Sequence, residues 1–243
     1  MIVILCHADD AAALWLCAAL RRLGRDDVEA VSVEALVYSR RIVHRLDDAG
    51  DTGEIEMADG RVLRCEAIDG IVNRVRFLPL AHIERAAAAD RTYATEEIHA
   101  FLLAWLDGVS GRVINPPLPT VLDGGTFPTA TVIHLAAMAG LPTRRWAYGS
   151  EEDPDTPAVP GATVPVIAFD NRIFGPVIPR ALQEGCRRLA ILLGLPLIEV
   201  ALSHSADGGW RFQGARGLAD FRAGGAPLAA AISGALARRA AES

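Results

Sequence analysis

Two short stretches of this 243-residue chain hold side chains able to do chemistry. The first is Cys6-His7-Ala8-Asp9, at the end of the apolar run Ile2–Cys6. A thiol beside an imidazole could form a nucleophile with its base. Adjacent residues of a strand point to opposite faces, so direct pairing of Cys6 with His7 is awkward. A buried thiol and a loop histidine explain the stretch equally well. The second is Arg74-Val75-Arg76, where residues two apart share one face of a strand end. Two guanidinium forks there could grip a carboxylate or a peptide backbone. The plainer alternatives are a solvated edge or internal pairs with Asp90 or Glu97.

Around these lie weaker candidates. Asn115-Pro116-Pro117 is expected to shape a turn close to the same strand ends. Glu96 and Glu97 suit the first turn of a helix, and Glu97 is kept with the candidate site as well. The candidate ligand-binding set is therefore Arg74, Arg76, Asn115, Glu97 and His7, with no catalytic or metal residue assigned. His44, His82, His99, His134 and His204 share no ligand spacing, which leaves zinc without support. Gly124-Gly125 and Gly224-Gly225 lack the strand–helix context and following lysine of a phosphate loop, and read as turns.

The elements that must position these residues follow from pattern. Ile2–Cys6 reads as a strand buried on both faces. Ala11–Leu23 has helical periodicity and closes at Gly24. Val28–Val33 alternates as a second strand, and this β-α-β opening favours a parallel sheet. Strands are expected at Ile42–Leu46, Glu54–Met57 and Val62–Cys65, with Asp59-Gly60 as a hairpin turn on the edge of that sheet. Gly70–Asn73 returns as a buried strand. A helix is expected over Glu96–Leu106 with Thr95 as its N-cap, then a short strand Val113–Asn115 and a helix Thr129–Ala139. Ser150–Gly161 is acidic and proline-rich and reads as a linker. Strand Val164–Phe169, turn Asp170-Asn171, helix Arg180–Leu193, strand Leu197–Leu202, turn Ala206–Gly209, strand Trp210–Gln213 and a final helix Pro227–Ala241 complete the chain.

Composition narrows the classes. Net charge is −6, so the electrostatic footprint of a nucleic-acid binder is absent. No run of eighteen apolar residues suggests a membrane span, and the opening run is too short, and lacks the basic start, for a signal sequence. Cys6, Cys17, Cys65 and Cys186 are scattered, as reduced core thiols of a cytoplasmic protein would be. All 24 basic side chains are arginine; the chain has no lysine.

Two blocks resemble the ATP-grasp superfamily, especially the ligases that crosslink or tag ribosomal peptides. Ile71–Arg76, Asp90–Tyr93 with Glu96-Glu97, Val113–Pro117 and Ala139–Pro142 follow the order of a pre-ATP-grasp domain. Val166–Gly175, Cys186–Gly194 and Asp207–Phe212 resemble the end of the ATP-grasp fold, the last being its metal-bearing hairpin. The resemblance implies an α/β protein: a Rossmann-like pre-ATP-grasp domain over 1–117, fused to a reduced α+β ATP-grasp remnant over 118–243 with a loop at 150–163. It also implies phosphate-binding lysines, a central subdomain and metal ligands. Here the first lysine's neighbourhood reads Thr126-Phe127-Pro128-Thr129. Only Trp146–Thr163 stands in place of the subdomain. The metal positions read Ala201, Gln213 and Ala215, and an alanine offers magnesium nothing.

Together these departures favour a non-catalytic relative that uses no cofactor. It would bind a peptide, an amino acid or small carboxylate, or a partner enzyme, in a peptide-modification pathway, with a homodimer as a further possibility. The alternative is an enzyme, either a carboxylate–amine ligase using arginine for phosphate or new chemistry at Cys6 and His7.

Overall fold

The structure, a computed structural model, describes residues 1–243 apart from 48–49, 110, 119–120, 123, 125, 144–161, 205–207 and 243. The expected linker Ser150–Gly161, Gly125 and the Ala206-Asp207 part of the last hairpin turn lie outside the described residues.

The chain divides into two compact units, residues 1–124 with 229–243, and residues 125–228. A division into 1–117 and 118–243 therefore misplaces the C-terminal fifteen residues, which join the first unit. The reason lies in packing. Leu236 lies so close over Gly70 that a Cβ there would meet its Cδ2 at 2.6 Å, and Arg239 Nη1 donates to the Val113 carbonyl at 2.7 Å.

The first unit opens as its sequence demands. β1 (Ile2–Cys6) is buried along its whole length. α1 (Ala11–Arg22) turns Ala13, Leu16, Cys17 and Leu20 inward, and its N-cap Asp10 accepts from the amides of Ala12 and Ala13. β2 (Val28–Ser32) then pairs parallel to β1, with Ile4 beside Ala30. The expected strand Val28–Val33 stops one residue early, because the Ser32 side chain accepts from the Ala35 amide and caps a short helix, α2 (Val33–Val37).

β3 (Arg41–Asp47), β4 (Gly50–Glu56) and β5 (Val62–Arg64) follow. They form their own antiparallel sheet in the order β3-β4-β5 instead of an edge of the parallel one. The Asp59-Gly60 turn closes between β4 and β5, with Gly60 at φ 87°. β6 (Gly70–Asn73) and β7 (Val113–Ile114) complete a parallel sheet of order β2-β1-β6-β7. Between them runs α3 (Ala88–Asp107), which begins seven residues before the expected N-cap Thr95. Ala88, Ala89, Arg91 and Ala94 are good helix formers, and the threonines at 92 and 95 cost too little to stop the helix. Trp105 of α3 is fully buried among Ile55, Met57, Leu63 and Cys65.

The second unit is an antiparallel sheet backed by two helices. It comprises α4 (Thr129–Met138), β8 (Val164–Phe169), β9 (Arg172–Phe174), α5 (Arg180–Leu193), β10 (Leu197–His204) and β11 (Trp210–Arg216), in strand order β11-β10-β8-β9. Asp170 and Asn171 take the left-handed turn between β8 and β9, at φ 48° and 58°. Val166, Ala168, Ile198, Val200, Leu202 and Phe212 pack against Ala136, Leu182, Cys186 and Leu189 of the helices. The last helix, α6 (Gly225–Glu242), starts here and passes into the first unit at Ala229.

Gly53 of β4 lies against the Trp105 indole, where an added Cβ would stand 2.7 Å from Cδ1 and 2.8 Å from Cys65 Sγ. Gly53→Ala should therefore cost about 1–3 kcal/mol of stability, read as a lowered denaturant midpoint at unchanged slope.

Candidate functional site

In the parallel sheet β1 stands between β2 and β6. The chain leaves β1 toward β2 and returns on the other side through β6, so the crevice beyond their carboxyl ends is the switch point where open α/β sheets hold ligands. His7, Asp9 and Asp10 follow β1, Glu34 opens α2, and Arg74 to Phe77 follow β6. The fold gathers them.

Arg74 is buried, and its guanidinium forks onto Asp10, Nε to Oδ2 at 2.8 Å and Nη2 to Oδ1 at 3.1 Å. The side chains are 7% and 9% exposed. Asp10 thus caps α1 and neutralises Arg74 together. Burial pushes the Asp10 carboxyl up, but the hydrogen bonds and charge of Arg74 and the amides of Ala13 and Ala12 outweigh it and hold the group below its ordinary value. Arg74 is therefore a framework residue rather than a ligand grip. The carboxylates that pair with the two arginines are Asp10 and Asp9 rather than Asp90 or Glu97, which stand exposed on α3.

His7 is also committed. Its Nε2 accepts from the Arg76 amide at 3.1 Å, which leaves the proton on Nδ1, donated to Glu34 Oε1 at 3.0 Å. Burial raises the Glu34 carboxyl, but its own backbone amide, His7 and the Ala8 amide prevail and keep it low. Cys6, beside it in sequence, has its thiol pushed up to about 12, by burial first and then by the charge of Asp10. A thiol so protonated near neutrality is a poor nucleophile.

Asn115 is buried at φ 56°, and its carbonyl accepts from Asn73 Nδ2 at 3.0 Å. The same amide reaches the Leu122 carbonyl, while Asn73 Oδ1 accepts from the Val75 amide. Asn115 shapes the strand-end loop. Of the expected set, Arg76 alone both joins the cluster and faces solvent, 44% exposed and paired with an Asp9 side chain that is 80% exposed. Beside it stands Phe77, 56% exposed, with its ring 4.4 Å from that of His7. Tyr38, just past α2, is likewise exposed and stacks on His82 at 4.5 Å. Sequence reasoning missed Asp10 and Glu34. Asp10 carried a signal, an aspartate directly before an apolar helical period; Glu34 carried none.

On the second unit's sheet, Glu199, Ala201 and Ser203 share the face turned away from α4 and α5. Glu199 lies opposite Arg216, and the register shifts between Ala201 and Leu202. Glu199 Oε1 meets Arg216 Nη2 at 2.6 Å, and Oε2 accepts from the Asp220 amide at 2.7 Å. Gln213 Nε2 donates to Ser203 Oγ at 2.7 Å. Ala215, opposite Val200, belongs to the helix-packed face.

No protein-family model and no curated protein matches this sequence. Solved structures do match. The macrocyclase MdnB of Microcystis aeruginosa MRC superposes with a TM-score of 0.71 at 13% identity, over 97% of this chain and 98% of that one. A RiPP-associated ATP-grasp ligase of Chryseobacterium gregarium, solved with ADP and a leader and core peptide, gives 0.69 at 10% identity, over 98% and 96%. The ATP-grasp ligase PsnB, solved with a minimal precursor, Mg and ADP, gives 0.66 at 20% identity, over 98% of each chain. The chain has an ATP-grasp-like fold.

PsnB was solved with Mg and ADP, and the β10–β11 face of this chain does not fit such an ion. Magnesium takes oxygen ligands in near-octahedral geometry. The expected positions Ala201 and Ala215 supply none, and Gln213 holds Ser203. Glu199 is already held by a guanidinium and a backbone amide. Among the described residues no group of three metal-ligating side chains lies together, and no helix is long and apolar enough to cross a membrane.

The strand-end network sets a stability prediction. The two depressed carboxyls, Asp10 and Glu34, bind protons more readily unfolded, so stability rises with pH through their range. Their contribution is complete above the unfolded values near 4 and is lost as pH falls through the lower folded values. Arg74→Ala should cost about 3–5 kcal/mol by stranding a buried carboxylate, and Asp10→Asn should flatten the acid limb of stability measured by urea melts between about pH 5 and 2.

Proposed function

We propose that this chain is a non-catalytic ATP-grasp relative that binds a peptide within a peptide-modification pathway. The observation that carries the reading is the state of the sheet face just described. Glu199 is a buried carboxylate of that face, and both its oxygens are spent on the protein itself. Added to this, the chain has no lysine with which to hold nucleotide phosphates as a point charge. The structural relatives solved with precursor, leader or core peptides support the peptide context.

Binding is assigned to the strand ends of the first unit. The buried pair Arg74–Asp10, and His7 held by the half-exposed Glu34, fix the backbone of residues 74–77, which presents Phe77 and Arg76 outward. Aromatic and arginine side chains are those most enriched where proteins grip peptides. The exposed Arg76–Asp9 contact is worth no more than about 1 kcal/mol, so a carboxylate of the ligand can replace Asp9 at small cost. The Arg76 guanidinium also lies 5.8 Å from the Phe77 ring centroid, which steadies it over that ring.

Two measurements test this. A ligand present at 100 times its dissociation constant adds about 2.7 kcal/mol to stability. Mg·ATP should give no such rise in melting temperature, and an ATP-dependent shift or ATP hydrolysis above background would overturn the non-catalytic reading. Fluorescence anisotropy with labelled peptides from open reading frames beside the gene should show binding. Arg76→Ala and Phe77→Ala should each weaken it about tenfold or more while the melting temperature stays within about 2 °C of the parent, since neither side chain is buried.

A further inference from the structure

We infer that Arg216 is the resident cation of the β10–β11 face, doing there the charge-balancing work for which the fold family would use a divalent ion. The inference rests on the non-catalytic reading and goes a step further, because it names what replaced the metal.

A buried carboxylate needs both hydrogen bonds and an opposing charge. The Glu199 side chain is 7% exposed, and the Asp220 amide supplies one hydrogen bond but no charge. Arg216 supplies the charge. It stands directly opposite Glu199 in the antiparallel register, so the strand pairing that builds the sheet also delivers the guanidinium. Being covalently part of the strand, it cannot dissociate, and a guanidinium stays protonated at any ordinary pH. Its own side chain is 60% exposed, so the head remains largely hydrated while one Nη reaches inward at 2.6 Å. Glu199 is thereby satisfied without water or metal.

The same arrangement repels a divalent ion. An ion approaching Oε1 must displace Nη2 and then sit against that positive charge, while the nearby Asp220 carboxylate is already forked onto Arg222 through Nε and Nη2. Those bonds, first among the causes, hold the Asp220 carboxyl below its ordinary value despite its partial burial. Farther along the face, beyond Ala201, Ser203 and Gln213 are joined to each other at 2.7 Å. The face is closed by protein groups from Asp220 to Ser203.

The test is a double-mutant cycle with a metal arm, read as melting temperature on the full chain. Arg216→Ala should lower it by roughly 5 °C or more, because Glu199 is left buried with its charge unopposed. Glu199→Gln combined with Arg216→Ala should recover most of that loss, since an amide needs no counter-charge. Arg216→Lys should keep part of the parent's stability. The parent should melt identically in EDTA and in millimolar magnesium chloride. The inference is overturned if Arg216→Ala melts like the parent or if the double variant is no better than the single one. Failure of both variants to fold overturns it as well. So does a magnesium-dependent rise in the parent that Glu199→Gln abolishes. Peptide binding at Phe77 and Arg76 is read in a separate assay, so loss of that reading leaves this one standing, and the reverse.

Discussion

The first unit depends on one buried ion pair. Asp10 and Arg74 are 64 residues apart in sequence and meet where β1 hands over to α1 and β6 ends. The carboxylate does two jobs whose requirements coincide. As N-cap it sits at the positive end of α1, where a negative charge is favoured, and from there its two oxygens face the guanidinium squarely. Neither residue could be buried alone. Together they fix the distance between the start of α1 and the end of β6, and every other strand-end contact is measured from that. His7 precedes Asp10 by three residues, and Arg76 follows Arg74 by two. The hydrogen bond from the Arg76 amide to His7 closes a small ring of chain around the pair.

Much of the scaffold was legible in the sequence because burial on both faces leaves a plain signature. Ile2–Cys6 and Gly70–Asn73 could hardly be anything but central strands, and Thr129–Met138, Arg180–Leu193 and the Asp170-Asn171 turn carried their own punctuation. What sequence could not show was pairing at a distance. Arg74 and Arg76 look alike by spacing, and the alternation of a strand puts them on one face. The structure separates them by depth, one against a cap residue and the other against a solvated aspartate. Nothing local distinguishes those fates, since the deciding partner stands 64 residues away. The hairpin β4–β5 is a similar case: its turn was plain, yet β4 packs at Gly53 on Trp105, fifty-two residues farther along the chain, and its sheet is separate from the parallel one.

Arginine carries both halves of the molecule, and its chemistry explains why lysine could be absent without loss of order. Arg74 needs two parallel hydrogen bonds to a carboxylate, a geometry that an ammonium cannot supply. Arg216 needs to reach a buried oxygen while its body stays in water, which the long stem and delocalised head allow. Arg239 ties α6 to the start of β7 through the Val113 carbonyl. In each case the guanidinium serves the fold. An ATP-dependent enzyme spends its strongest cations on phosphate, at sites that must be empty of protein partners until the nucleotide arrives. In this chain the buried carboxylates Asp10 and Glu199 have each been matched to an arginine from within. On the β10–β11 face, Glu199 meets Arg216 and the Asp220 amide, so both of its oxygens already have partners within the protein. At the strand ends, Phe77 and Arg76 stand exposed on a backbone held by the Arg74–Asp10 pair and the His7–Arg76 hydrogen bond, and pre-organisation of that kind lowers the cost of any binding the proposed site carries out.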